Sequence, residues 1–221
     1  MLAFLVWASA DVGSGVYLDT LCQKDTDEPV VALTFDDGPD EQMTPKVLDV
    51  LKKHDIKATF FLVGERVRSH PHLVKRMLAE GHTVGNHTYS HSPWFALWSG
   101  RKVRREIVEA QRIIEETTGR SSRLFRPPFG VINPVIGRAV RAAGLHGIGW
   151  SIRSLDTRTK RERKAVCRQI LRRLDNGSVI LLHDRCPHAD LLLDAVIEGI
   201  KARGKQLVTI DELFEIKGYE K

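Results

Sequence analysis

Apolar residues recur along this chain with two periods, and the two take turns. Val30 to Phe35 is a nearly continuous apolar run closed by the turn residues Asp37-Gly38-Pro39, as a strand buried in a parallel sheet reads. Pro45 to His54 follows, with Val47, Leu48, Val50 and Leu51 at helical spacing. Ala58 to Val63 is the next strand, Leu73 to Glu80 the next helix with Gly81 as its C-cap, and His82 to Asn86 a third strand. Residues 101 to 118 form a long helix with Val103, Ile107, Ala110 and Ile114 on one side, ended by Gly119. Leu124 to Arg126 is a short strand running into Pro127-Pro128, and Pro134 to Ala143 is a helix capped near Gly144. His146 to Ser151 is a strand, Lys160 to Leu174 a helix, Val179 to His183 a strand and Ala189 to Arg203 a helix. Gln206 to Ile210 is the last strand, with Asp211 capping a final turn.

Such alternation over 221 residues implies one domain built on a parallel sheet, open or closed into a barrel. No internal repeat, low-complexity segment or linker interrupts it. Asp36, Asp37, His87, His91, Arg126, Asp156 and His183 all fall at or just past predicted strand ends. In a parallel barrel those ends share one face, so polar groups far apart in sequence converge on one pocket there.

Composition narrows the class without naming the chemistry. A chain that is 42% hydrophobic and 28% charged is an ordinary soluble globular one, which excludes a disordered tail, a fibre and a multi-span membrane protein. The net charge of +6 fits nucleic acid, an anionic membrane or an acidic polymer alike. The basic runs at Arg101 to Arg105 and Arg158 to Lys164 lie on or beside helices whose other face is apolar. They read as solvated outer faces, and no nucleic-acid partner is expected. Cys22, Cys167 and Cys186 form no CxxC pair, which argues against a zinc ribbon and allows at most one disulfide.

Met1 to Ala10 is apolar and ends Ala8-Ser9-Ala10 like a signal-peptidase site, but it has no basic leader and is too short to span a bilayer. It reads either as the end of an export signal or membrane anchor, or as a first strand. Residues 1–28 are therefore set apart as an N-terminal extension from a domain at 29–221.

Two segments carry candidate chemistry. Asp36 and Asp37 leave a strand together before a tight turn, so one could hold a metal while its neighbour reaches a substrate water; an Asx-turn or helix cap is the plainer reading. His87 and His91 stand four apart, the spacing of one helical turn, which presents two imidazoles to one ion. Thr88 stands where a zincin would carry glutamate, so that motif is excluded. Two histidines and a carboxylate from another strand leave coordination sites open; zinc is the first choice, with cobalt, nickel, manganese or iron able to use the same ligands.

From about Val30 to Ile210 the chain resembles the polysaccharide deacetylase family, also called the NodB-homology or carbohydrate esterase family four domain. Its first motif, TFDDGP, stands unchanged at Thr34 to Pro39, and its second, His-Ser/Thr-x-x-His, at His87 to His91. Arg126-Pro127-Pro128-Phe129-Gly130 resembles the third, and Ile180-Leu181-Leu182-His183-Asp184 the fifth. The resemblance implies a distorted (β/α) barrel of parallel strands. It assigns Asp36 as general base, Asp37, His87 and His91 as metal ligands, and Arg126 as the residue that holds Asp36. It further makes the Phe129 N–H an oxyanion donor, Leu181 the wall of the acetyl-methyl pocket, and His183 the general acid, tuned by Asp156. In the fourth motif, where the family commonly shows W-S-x-D-x-x-D-W, this chain has Arg153 in place of the first aspartate and Thr157 in place of the second tryptophan.

The implied activity is metal-dependent removal of N-acetyl groups from N-acetylglucosamine-containing polysaccharide, peptidoglycan or a chitin-like oligosaccharide. The alternatives are an O-acetyl esterase of the xylan type and a weakly active sugar-binding homologue. Such a substrate places the protein outside the cytoplasm, in the cell envelope, periplasm or medium, with membrane anchoring through an N-terminal segment an option.

Overall fold

The computed structural model describes residues 2–158 and 162–220. The first half of the chain forms α1 (Leu2–Ala10), β1 (Thr20–Leu21), β2 (Val30–Gly38), α2 (Thr44–Lys53), β3 (Thr59–Leu62), α3 (Gly64–Ser69), α4 (Pro71–Ala79), β4 (Thr83–Asn86) and α5 (Gly100–Thr118). The second half forms β5 (Leu124–Phe125), α6 (Pro134–Ala142), β6 (His146–Ile148), β7 (Ile152–Arg153), α7 (Arg163–Arg172), β8 (Val179–His183), α8 (Ala189–Lys201), β9 (Gln206–Val208) and α9 (Ile210–Phe214). The strands pair in the order β1-β6-β5-β4-β3-β2-β8-β7, β9 joins the start of β2, and each of these pairings is parallel.

β6 and β7 lie near opposite ends of that order, yet only residues 149–151 separate them in the chain. The sheet therefore curls back on itself into a distorted barrel. The single strand expected over His146 to Ser151 breaks in two because its backbone changes partners: the Gly149 N–H donates to the Leu21 carbonyl at 3.0 Å, and the Ser151 N–H to that of Val179 at 3.1 Å.

Along β2 the side chains alternate, as they must in a strand. Val31, Leu33 and Phe35 pack outward with Phe60 and Leu62 of β3 and Ile180 and Leu182 of β8, beneath α2 and α8. Ala32 faces the interior with Phe61, Leu124, Ile148 and Val179. Thr34 and Asp36 continue that inward row, so the barrel interior turns polar toward the C-terminal strand ends.

The helices form where apolar spacing puts one face on this sheet. α5 buries Val103, Ile107, Ala110, Ile113 and Ile114 and ends at Gly119, whose φ of 68° is the left-handed cap conformation. Asn133 caps α6 by accepting from the Val135 and Ile136 N–H groups at 2.9 and 3.0 Å.

Several expectations are corrected. Leu2 to Ala10 is helix rather than a first strand; Phe4, Leu5, Val6 and Trp7 stay exposed, so no sheet neighbour among the described residues pairs with this backbone and its hydrogen bonds close within the helix. The strand within the extension is Thr20–Leu21, on the edge of the sheet beside β6. Gln206 to Ile210 divides, because Thr209 rather than Asp211 caps α9 through a reciprocal box with Glu212. Asp211 instead accepts from the Thr83 hydroxyl at 2.7 Å. The start expected at Lys160 lies outside the described residues, and the helix runs over Arg163–Arg172 after an extended Glu162. The three cysteines are free. Among the described residues no helix is long and apolar enough to cross a membrane.

Candidate active site

The interior row of β2 sets the site's foundation. Arg126, just past β5, is wholly buried, with its guanidinium 4.1 Å from the Phe61 ring centroid and 5.8 Å from that of Trp150. Its Nη1 donates to Asp36 Oδ1 and to Thr34 Oγ1, both at 2.7 Å, and its Nη2 donates to the Gly149 carbonyl at 2.7 Å. Burial pulls the pKa of Arg126 down, and the Asp36 charge and hydrogen bond oppose that pull. With Oδ1 engaged, Asp36 presents Oδ2 toward His87 Nε2 at 3.8 Å.

Alternation by itself would turn Asp37 away from Asp36. The β2–β3 register shifts between Asp36 and Gly38, and Asp37 adopts a left-handed φ of 71°. This bulge swings the second carboxylate back over the same cavity. Asp37 Oδ1 lies 3.6 Å from His87 Nε2 and 3.3 Å from His91 Nε2.

The histidine pair does not sit on a helix, contrary to what its spacing suggested. Residues 87–91 form a loop past β4, with left-handed φ at Thr88 (67°) and His91 (48°). Such angles are costly for a β-branched residue. Local hydrogen bonds hold them: Asn86 Oδ1 accepts from the Thr88 N–H at 2.9 Å, Thr88 Oγ1 from the His91 N–H at 3.2 Å, and Glu106 of α5 from the Ser90 N–H and hydroxyl. The rings end 4.7 Å apart. His87 Nδ1 lies 2.7 Å from the Arg126 carbonyl, a contact that requires the proton on Nδ1 and leaves Nε2 a lone pair.

These atoms fit a small divalent cation. One ligand atom from each of Asp37, His87 and His91 lies within 4.8 Å of the others. Tetrahedral zinc with bonds of ~2.0 Å needs ligand atoms about 3.3 Å apart, close to the separations from Asp37. Burial works against charge on Asp37, but the His87 hydrogen bond and the charges of His87, His91 and His183 hold its carboxyl well below the usual range. Burial pushes His91 down to about 4, with His87 adding to the shift, so its ring is neutral at pH 7, the form a metal ligand requires. Asp156, His183 and Cys186 form a second cluster of potential ligand atoms. Burial pushes the Cys186 thiol up to about 12, and Asp156 and His183 are taken up with each other, so this set is the poorer one.

His183 ends β8 in register with Asp36 of β2. Its Nδ1 lies 2.8 Å from Asp156 Oδ1, and its backbone N–H donates to Asp156 Oδ2 at 2.8 Å. The Ser154 hydroxyl donates to the same carboxylate at 2.8 Å. Burial opposes charge on the His183 ring, but Asp156, with Asp36 and Asp37 behind it, raises its pKa above the ordinary histidine value.

Asp36, Asp37, His87, His91, Phe129, Leu181 and His183 line one cavity of about 420 Å³. Arg126 and Asp156 lie behind its wall. Phe129 has a left-handed φ of 59°, and its ring packs on His91 at 4.7 Å between centroids. A larger groove of about 740 Å³ runs between α7 and α8, but its lining of arginines, Lys164, leucines, Ala195 and Cys167 offers no acid–base pair.

A family model described as polysaccharide deacetylase matches residues 23–148, more than half of the chain. The chain belongs to the polysaccharide deacetylase family. It is 39% identical over 186 residues to the peptidoglycan-N-acetylglucosamine deacetylase PgdA of Listeria monocytogenes, covering 83% of this chain and 38% of that protein. The chain thus spans well under half of that relative's length. It is also 39% identical over 176 residues to a chitooligosaccharide deacetylase of Sinorhizobium fredii, covering 79% of this chain and 81% of that one. The crystal structure of the peptidoglycan N-acetylglucosamine deacetylase Bc1960 superimposes with a TM-score of 0.84 at 34% identity, over 90% of this chain and 94% of that one.

Sequence reasoning missed several residues around this site. Arg185 Nε donates to Asp37 Oδ2 at 3.0 Å; its place two residues after His183 was the available signal. Thr34, two before Asp36 on the same strand face, accepts from Arg126, so strand alternation could have found it. Asp184 is fully buried behind β2, where burial raises its carboxyl to about 7 and the Thr44 hydroxyl donates to its Oδ2. A Cβ on Gly38 would lie 2.3 Å from that oxygen, which is why the turn after Asp37 carries glycine.

Proposed function

We propose that this chain is a metal-dependent hydrolase that removes N-acetyl groups from N-acetylglucosamine-containing polysaccharide, peptidoglycan or a chitin-like oligosaccharide, outside the cytoplasm. The observation that carries the reading is the grouping in one cavity of a carboxylate, a histidine with raised pKa and an Asp-His-His ligand set. The names of the relatives support the substrate class.

Asp37, His87 and His91 would hold a divalent cation, zinc by the chemistry of the donors, which would supply positive charge to polarise the acetyl carbonyl and acidify a water. Asp36, fixed through Oδ1 by Arg126, uses Oδ2 to take the proton of the attacking water. The Phe129 N–H donates to the carbonyl oxygen as negative charge grows there, and one such donor is typically worth ~3 kcal/mol. Leu181 bounds the space for the acetyl methyl. His183, oriented through Nδ1 by Asp156, gives its Nε2 proton to the nitrogen as the carbon–nitrogen bond breaks. An amine leaves poorly without that proton, which is why the site needs an acid as well as a base.

Acetate release from acetylated chito-oligosaccharides and peptidoglycan glycan strands tests the reading, before and after chelation and after return of zinc or another divalent ion. Release that chelation stops and metal restores is the expected result. A protein that carries one ion per chain and frees acetate from none of these glycans is a sugar-binding homologue instead. Arg153 and Thr157, which line the groove, bear on the sugar-binding alternative; a further enzymatic reading is O-deacetylation of an esterified sugar. An ester's alcohol leaves more easily than an amine and depends less on an acid, so His183→Ala then slows ester turnover less than amide turnover. The exposed apolar residues of α1 support association with a membrane at the site of action.

A further inference from the structure

Charges lining the catalytic cavity are matched, with one exception. Asp36 is paired with Arg126 at 2.7 Å, Asp37 with Arg185 at 3.0 Å, and His183 with Asp156 at 2.8 Å. Arg153, at the end of β7, lines the same cavity and is exposed to solvent within it. Among the described residues it has no carboxylate partner; its guanidinium stands 5.9 Å from the Trp150 ring centroid, and its backbone carbonyl accepts from Gln169. The next strand places Leu181 in register with it, and both line the cavity, so the free positive charge borders the space assigned to the acetyl methyl.

A long, costly-to-order cation is a poor wall for a neutral sugar. It suits an anion, and a planar guanidinium matches a carboxylate with two parallel N–H donors. We propose that Arg153 is a specificity-determining residue that selects a glycan bearing a carboxylate beside the acetylated amine, as the lactyl ether of a muramic acid unit does. The proposal rests on the deacetylase reading above and adds the charge of its substrate. The carboxylate belongs either to the unit being deacetylated or to its neighbour in the strand, and the same chemistry recognises both.

The test uses the whole chain loaded with metal and three substrates: neutral chito-oligosaccharides, peptidoglycan glycan strands freed of stem peptides so that the lactyl carboxylates are bare, and the same strands with those carboxylates amidated. The wild type is expected to bind bare strands about tenfold more tightly than amidated ones, as the loss of one charge-assisted bidentate contact implies. The preference appears in KM rather than kcat and shrinks as salt rises. Arg153→Gln removes it, Arg153→Lys keeps part of it and Arg153→Asp reverses it, each read as the ratio of bare to amidated strands within one variant, so that any effect common to all substrates cancels. Strands with muramic acid only at the reacting unit, or only beside it, tell the two sources apart.

Equal binding of bare and amidated strands by the wild type overturns the proposal. So does an Arg153→Gln variant that loses affinity for the neutral oligosaccharide to the same degree. Binding is measured by calorimetry as well as by acetate release. An absence of turnover on every substrate therefore counts against the deacetylase reading, and the bare-against-amidated ratio still decides the role of Arg153.

Discussion

Arg126 Nη1 and Asp36 Oδ1 meet at 2.7 Å inside the barrel, where neither side chain has appreciable contact with solvent. The pair joins β2 to β5 across the interior and fixes which oxygen of Asp36 faces the cavity. Removing one member leaves an uncompensated buried charge, which typically costs ~3–5 kcal/mol. Arg126→Met is therefore expected to lower unfolding free energy by about that amount, read from urea titration. The double variant Arg126→Met with Asp36→Asn recovers part of the loss, since it leaves no lone charge. A single variant as stable as wild type contradicts the burial argument.

Asp36→Asn keeps the shape and the hydrogen bond from Arg126 but cannot take a proton. Turnover is expected to fall by roughly a hundredfold to ten-thousandfold, the usual contribution of a general base, while metal content is unchanged. Elemental analysis alongside acetate release separates the two quantities. Activity near wild type in a fully loaded variant removes Asp36 from the base role.

His87→Ala and His91→Ala each take one of three protein ligands from the candidate ion. Metal bound per chain is expected to drop in both, and thermal stabilisation by added zinc to weaken, as ligand linkage requires. Both variants holding the wild-type complement of metal places the ion elsewhere.

The pH dependence follows from His183. Burial opposes its charge, but Asp156 raises its pKa above the ordinary histidine value. A raised histidine pKa gives stability that is fully present below the unfolded value and is lost as pH rises through the folded one. A step that needs protonated His183 fails over the same upper range. Asp156→Asn removes the main raising influence, so the alkaline limb of kcat moves to lower pH and the imidazole titrates earlier by NMR. A limb that stays in place in this variant assigns it to another group.

Gly38→Ala drives a methyl to within 2.3 Å of the buried Asp184 carboxylate. Overpacking of this kind costs ~1–3 kcal/mol, measurable by chemical denaturation. Gly38→Ala with Asp184→Ala relieves the clash, and the double variant is expected to be the more stable of the two.

Much of this was legible in the sequence. The β2 run, the α5 stripe and the helix caps at Gly119 and Gly144 read directly, because apolar period and cap chemistry are local properties. Asp36, Asp37, His87, His91, Arg126, Asp156 and His183 are marked by type and by their place at strand ends, Phe129 and Leu181 only by resemblance to the family, and all but Arg126 and Asp156 line one cavity. Of the two readings of the N-terminal run only the strand is overturned, because a short, uncharged apolar run carries no period that separates strand from helix.

The chain order of residue types determined that parallel strands carry acids, histidines and an arginine to one end of a sheet. Only the folded backbone decided that Asp36 and Asp37 face the same way, since strand alternation separates neighbours and a left-handed residue at a bulge is needed to bring them together. It also decided that the two histidines converge from a loop rather than a helical turn, and that Arg126, Arg185 and Asp156 each neutralise a cavity group while Arg153 neutralises none among the described residues. Charge pairing depends on distances of a few ångströms between strands far apart in sequence, and no local pattern encodes those.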